Sequence, residues 1–306
     1  MADFSKDIVE YFEKMITKKR VNYSSLLDRI DEKFSGAQVA KLYNHILITK
    51  DDYELLNLVL RRINKKKYFA NFEALNDFIL RQNKNNNFND LKVLAIKTLG
   101  NYNNKKAVNS LLFCLNDKNS NYKIKLASAE ALGKIGDISA FESLGNIIQD
   151  ENEKSAYVKE SAVVALGSLG DNRALDVFDN IINAKEFFQE KFTYLKESVV
   201  ETLSKFDITK NKKALHILKT SLMDNNTTVR IAAIETLMNS DYDFNYDLIY
   251  ERLKNDDDVE VKKNALVALY NISDEKILYE VINDNEFNNE LKNYAKEILE
   301  SLKENE

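Results

Sequence analysis

Apolar and polar positions recur along this chain with helical spacing, and one arrangement of them returns seven times. Each copy starts on an aliphatic residue with leucine eight residues on. The starts are Leu91, Ile124, Val158, Leu195, Val229, Val261 and Leu291, and the leucines are Leu99, Leu132, Leu166, Leu203, Leu237, Leu269 and Leu299. Between them, four residues from each start, stand Ala95, Ser128, Ala162, Val199, Ala233, Ala265 and Ala295. The three positions share one stripe of a helix with 3.6 residues per turn. The bulky ends bury area, and the small centre admits a neighbouring helix. Successive starts lie 33, 34, 37, 34, 32 and 30 residues apart. That period predicts stacked helix pairs in which each motif helix is the second of its pair. The first helices are expected at about 105–116, 138–150, 172–184, 211–223, 244–254 and 274–283.

Upstream of residue 91 the motif is absent, although the helical pattern persists. Helices are expected at 3–19 (Phe4, Ile8, Phe12, Met15 and Ile16 on one side), 22–34, 37–48, 51–64 and 68–82. In the last of these, Phe69, Phe72, Leu75, Phe78 and Ile79 point inward. Asp51 and Asp52 suit a helix start, where carboxylates meet the positive end of the dipole. Residues 1–90 read as divergent pairs capping an array at 91–306, the two forming one continuous solenoid. Glycine ends helices readily because it accepts positive φ. The pairs Gly133/Gly136 and Gly167/Gly170 therefore read as turn devices.

The runs Ala131-Leu132-Gly133-Lys134-Ile135-Gly136-Asp137 and Ala165-Leu166-Gly167-Ser168-Leu169-Gly170-Asp171 resemble the signature of HEAT-like repeats of the phycobilisome-lyase type, as does Val229-Arg230. The resemblance covers about residues 91–306. It implies an all-α fold, a right-handed α-α superhelix in which the second helices line the concave side. It also implies that an aspartate in the turn within each pair (Asp117, Asp150, Asp224, Asp256) pairs with the basic residue after the motif start and ties repeats together. Two departures stand out. The chain has no proline, and the Gly-x-x-Gly-Asp turn is lost after Leu203, Leu237 and Leu269. There Asp207, Asn239 to Asp241 and Asn271 to Ser273 are expected to turn the chain.

Composition narrows the class. At 306 residues, 44% hydrophobic and 30% charged, the chain suits a folded array whose core grows along an axis. No apolar run reaches the ~18 residues of a membrane span. The opening Met1-Ala-Asp-Phe-Ser-Lys6 does not read as a signal peptide, so a cytoplasmic location is expected. The net charge of −5 is uneven: residues 1–110 hold 20 basic and 13 acidic side chains, whereas 111–306 hold 24 and 36.

No catalytic constellation emerges, and the expectation is a protein that is not an enzyme, with no metal and no cofactor. His45 and His216 are the only histidines, lie in different repeats and lack the i, i+4 partner that a helical metal site needs. HEAT-like iron hydroxylases use repeated His-Glu pairs, and HEAT-like DNA glycosylases use tryptophan platforms; this chain has neither. Cys114, the only cysteine, sits in an apolar helix and reads as a small core residue.

What remains is surface. The residue after each start is basic: Lys92, Lys125, Lys159, Lys196, Arg230, Lys262 and Lys292. Pairing with turn aspartates is the favoured account of this ladder over phosphate binding. Opposite the apolar stripe, Glu130, Glu160, Glu197, Glu201, Glu235 and Glu297 form an acidic ladder. The first five are the candidate partner-binding residues, facing a groove suited to a basic protein or peptide. The long connection before Leu195 offers Phe187 and Phe188 as exposed aromatic anchors. The favoured function is a protein-binding scaffold or adaptor. Two alternatives stay open: nucleic-acid binding through residues 61–106, where 11 basic side chains face 3 acidic ones with Tyr68, Phe69 and Phe72 between, and an accessory subunit beside a lyase. Partner identity and oligomeric state are not legible.

Overall fold

A computed structural model describes residues 7–17, 21–81, 88–184, 189–240 and 245–304. Among these the chain is all-α, with eighteen α-helices. It divides into two compact units, Met1–Leu169 and Gly170–Glu306. In the first, the helices pair as α1 (Ile8–Ile16) with α2 (Tyr23–Lys33), α3 (Gly36–Thr49) with α4 (Tyr53–Lys66), α5 (Phe72–Leu80) with α6 (Phe88–Tyr102), α7 (Val108–Asn116) with α8 (Tyr122–Ile135), and α9 (Phe141–Gln149) with α10 (Ala156–Leu169). In the second they pair as α11 (Ala174–Ile182) with α12 (Gln189–Thr202), α13 (Lys212–Ser221) with α14 (Thr227–Met238), α15 (Asn245–Asn255) with α16 (Val259–Ile272), and α17 (Lys276–Asn283) with α18 (Asn289–Glu304).

Within each unit the second helices lie side by side: α2, α4, α6, α8 and α10 in the first, α12, α14, α16 and α18 in the second. The motif explains why. Each start, each central small residue and each leucine is buried, from Leu91, Ala95 and Leu99 to Leu291, Ala295 and Leu299. Ser128 is buried as well, its hydroxyl donating to the Ile124 carbonyl at 2.8 Å, which satisfies the polar group locally.

Glycine does two different jobs, which corrects the expectation that both members of each pair end helices. Gly136 and Gly170 have φ of 64° and 68° and do turn the chain. Gly133 and Gly167 lie inside α8 and α10. A Cβ on Gly133 would stand 2.8 Å from Ala165 Cα, and one on Gly100 would stand 2.9 Å from Ala131 Cβ. These glycines let neighbouring second helices approach backbone to backbone. Gly133→Val is therefore expected to cost about 1–3 kcal/mol by overpacking, while Lys134→Val on the exposed side stays within ~0.5 kcal/mol. Urea unfolding followed by circular dichroism measures both.

The aspartates after Gly136 and Gly170 cap the start of the next pair. Asp137 accepts the Ser139 N–H at 3.0 Å, and Asp171 accepts that of Arg173 at 2.8 Å. Where the glycine turn is lost, side chains replace it. Asp207 accepts the Thr209 N–H, Ser273 donates to the Leu269 carbonyl at 2.8 Å, and Ser240 to that of Leu237 at 2.7 Å. Buried Asn245 also donates to the Leu237 carbonyl at 2.7 Å; Asp241 lies outside the described residues. In the first unit, Asp52 caps α4, accepting from the Leu55 N–H. Ile8 and Phe12 are buried as expected, Leu26, Leu27 and Ile30 of α2 are buried as well, and Phe4 falls outside the described residues. Phe69 is a correction. It precedes α5, in a 3₁₀ turn, and its ring is 61% exposed, resting on Tyr102 at a centroid distance of 4.8 Å.

Candidate partner-binding faces

The turn between the helices of a pair presents a carboxylate held by its own backbone. Asp117, Asp150, Asp224 and Asp256 accept the N–H of the second residue on, at 2.9–3.0 Å. Such turns fix the carboxylate with little freedom. The basic ladder meets two of them, Asp224 and Asp256, each from the pair before, and so ties repeats together. Lys196 of α12 reaches Asp224, after α13, at 2.7 Å. Arg230 of α14 grips Asp256, after α15, through Nε at 2.9 Å and Nη2 at 2.8 Å. From its own turn Arg230 takes a backbone oxygen, Asp224 O, at 2.8 Å. Lys125 of α8 reaches Glu153, after α9, at 2.8 Å. Three rungs, Lys125, Lys196 and Arg230, thus clasp one pair to the next within a unit.

Other rungs are weaker. Burial lowers the Lys92 ammonium below its ordinary pKa, against the pull of Cys114 and Asp117. Burial does the same to Lys159, opposed by Asp150, Glu153 and Glu151. Lys262 and Lys292 form no ion pair with a described residue.

The acidic candidates separate by unit. In the first, α6 and α8 cross-link their outward faces at three levels: Asp90 with Lys123 at 3.4 Å, Lys97 with Glu130 at 3.6 Å, and Asn101 with Lys134 at 3.3 Å. Glu130 is thereby committed to a neighbour, and Glu160 is half-buried on α10. In the second, Glu197 is half-buried and accepts the Thr228 hydroxyl, whereas Glu201 and Glu235 are exposed. Glu260, Glu290 and Glu297 extend that acidic face across α16 and α18. Phe187 and Phe188 lie outside the described residues.

The family profile for HEAT repeats matches residues 78–156, which contain α6 to α9 and both close-approach glycines, Gly100 and Gly133. Similarity also extends to solved HEAT-like chains. One is the complex of CpcE and CpcF of phycocyanin lyase from Nostoc sp. PCC7120, at 20% identity over 82% of this chain and 88% of that one, with a TM-score of 0.43. Another is human deoxyhypusine hydroxylase in complex with glycerol, at 14% identity over 88% and 97%, with a TM-score of 0.39. At these scores neither likeness bears on function. No curated protein matches the chain.

The reactive side chains have structural surroundings. Cys114 is buried with its sulfur 3.8 Å from the Ile79 carbonyl, and burial pushes its pKa up to about 11, which keeps the thiol protonated near neutral pH. His45 contacts Glu13 at 2.9 Å, and Lys50 contacts the same carboxylate at 2.6 Å. Although burial alone would raise it, the Glu13 carboxyl is held below its ordinary pKa by Lys50 and His45. Part of the basic stretch 61–106 is neutralised from outside its own limits. Arg62 pairs with Asp28 at 2.6 Å, Lys66 with Asp31 at 2.9 Å, Arg81 with Asp51 at 2.6 Å and Lys105 with Asp137 at 3.3 Å. Among the described residues no helix is long and apolar enough to cross a membrane.

Proposed function

We propose that the chain is a non-catalytic scaffold or adaptor that binds another protein on the faces of its second helices, in the cytoplasm. One observation carries this reading: within each unit the second helices form a side-by-side surface, and in the second unit that surface carries exposed carboxylates, Glu201 and Glu235 among them. A row of rigid helices offers a preorganised surface, and opposite charge steers a basic partner to it. The ion pairs that engage Arg62, Lys66, Arg81, Lys97 and Lys105 count against phosphate binding, which needs free cations.

Affinity capture with the intact chain from its native cell, followed by mass spectrometry, tests the reading. A reproducible protein partner is expected, with capture reduced about tenfold or more by Glu160→Lys, Glu197→Lys and Glu201→Lys together. Undiminished capture by that variant removes these glutamates from the binding surface. Binding to generic DNA or RNA that falls steeply with salt would instead favour the nucleic-acid alternative.

A further inference from the structure

The second-helix face of Gly170–Glu306 combines two chemistries in one place. Helical spacing puts Tyr194, Glu197 and Glu201 of α12 on this face, with Thr228, Ile231 and Glu235 of α14, Glu260, Lys263 and Val267 of α16, and Glu290, Tyr294 and Glu297 of α18. Contacts across the helices confirm the alignment. The Thr228 hydroxyl donates to Glu197. Lys263 sits 2.8 Å from Glu290 and 3.8 Å from Glu260, and 5.7 Å from the centre of the Tyr294 ring.

Carboxylates dominate this face. Glu197, Glu235, Glu260, Glu290 and Glu297 share it with Lys263, which is held between Glu260 and Glu290. Glu235 and Glu297 are exposed and form no ion pair with a described residue. Inside this acidic frame, Ile231, Val267 and Tyr294 are half-buried and Tyr194 is 65% exposed. A merely solvated flank has no need of an apolar side chain on each of four adjacent helices. A nucleic acid would set phosphates against carboxylates. A purely basic, extended segment would leave the apolar positions in water.

We propose that this face docks a basic amphipathic helix of another protein. Its apolar stripe lies on Ile231, Val267 and Tyr294, and its lysines or arginines meet Glu235 and Glu297. The proposal rests on the scaffold reading and narrows it to one unit and one class of partner. Helices packed about 9 Å apart span about 27 Å from α12 to α18. At 1.5 Å per residue, that distance corresponds to a docked segment of about 18 residues.

The test is fluorescence anisotropy with the intact chain and three labelled peptides of about 18 residues. One is a leucine–lysine repeat with an apolar face, one has the same composition scrambled, and one carries glutamate in place of lysine. The leucine–lysine helix is expected to bind at least about tenfold more tightly than the other two, and less tightly as salt rises. The variant Glu235→Lys, Glu297→Lys changes exposed positions, with folding checked by circular dichroism. It should lose about tenfold or more of that affinity. Equal binding of the ordered and scrambled basic peptides, or equal binding by the variant and the native chain, overturns the proposal. Capture from the native cell separates it from the broader reading. If native and variant chains retain the same proteins equally well, this docking site is wrong and the scaffold stands. If the native chain retains none while the peptide behaves as expected, the scaffold reading fails and the surface stands.

Discussion

Asp256→Ala is expected to destabilise the second unit by about 3–5 kcal/mol. The Asp256 side chain is 2% exposed and lies beside Arg230 and Arg252, themselves 12% and 11% exposed. It takes two hydrogen bonds from Arg230, one from the Asp258 N–H at 3.0 Å, and lies 3.7 Å from Arg252. Removing the carboxylate leaves Arg230 and Arg252 in a dry site without its charge. The loss then reflects the penalty of an uncompensated buried cation more than the worth of the pair. Neutralising the cluster together, with Asp256→Leu, Arg230→Met and Arg252→Met, should recover most of the lost stability, because replacing a buried ion cluster with packed apolar side chains is often neutral or favourable. Urea unfolding of the single and triple variants measures both. A single variant within ~1 kcal/mol of the native chain would show the network to be as weak as an exposed pair.

Leu166→Ala is the second large effect, at about 2–5 kcal/mol. Leu166 is fully buried in α10, in the helix whose backbone meets Gly133 of α8. That close approach limits relaxation, because the helices already touch through Ala165 and cannot move closer to fill the space left behind. Incomplete collapse is what moves a leucine deletion towards the upper end of its range. Arrays stabilise each repeat through its neighbours, so the loss should be strongest in hydrogen-exchange protection of α8, α9 and α10, with α1 and α2 less affected. Uniform loss across Met1–Leu169 would mean that the unit unfolds as one body.

The motif was legible because close packing leaves a mark on composition. Ala95, Ser128 and Ala162 are buried at the centres of the motifs in α6, α8 and α10, and Leu99, Leu132 and Leu166 close the core at a fixed distance. The pairing of α3 with α4 carried no such mark. In α4 the buried face is Leu55, Leu56, Val59, Leu60 and Ile63, large residues that announce a helix without fixing its register against a neighbour. Gly133 differs from its expected role for a related reason. Sequence shows that glycine tolerates an unusual backbone, whereas only the fold shows that here it is small against Ala165. Asp224, six residues before Arg230, has the spacing of that arginine's partner. Its carboxylate is instead taken by the Asn226 N–H and Lys196, so Arg230 crosses to the next turn.

On the candidate surface, Glu197, Glu201 and Glu235 could be read from spacing within the motif. Glu260 and Glu290 carry no such signal because they stand one residue before their motif starts. A helical turn brings them onto the same side as residues three, four or seven further on.

The clasps along the basic ladder also have a direction. Lys125, Lys196 and Arg230 each reach forwards, towards a carboxylate of higher number, so the two ends of any shortened chain are not equivalent. A cut that removes α15 and everything after it strands Arg230 as a cation whose counter-charge has left. A cut that removes α12 and everything before it strands the carboxylate of Asp224, which keeps its backbone hydrogen bond and can regain water through a small turn. Erosion from the carboxyl end should therefore be the more damaging, and the array is built to be held together from that side.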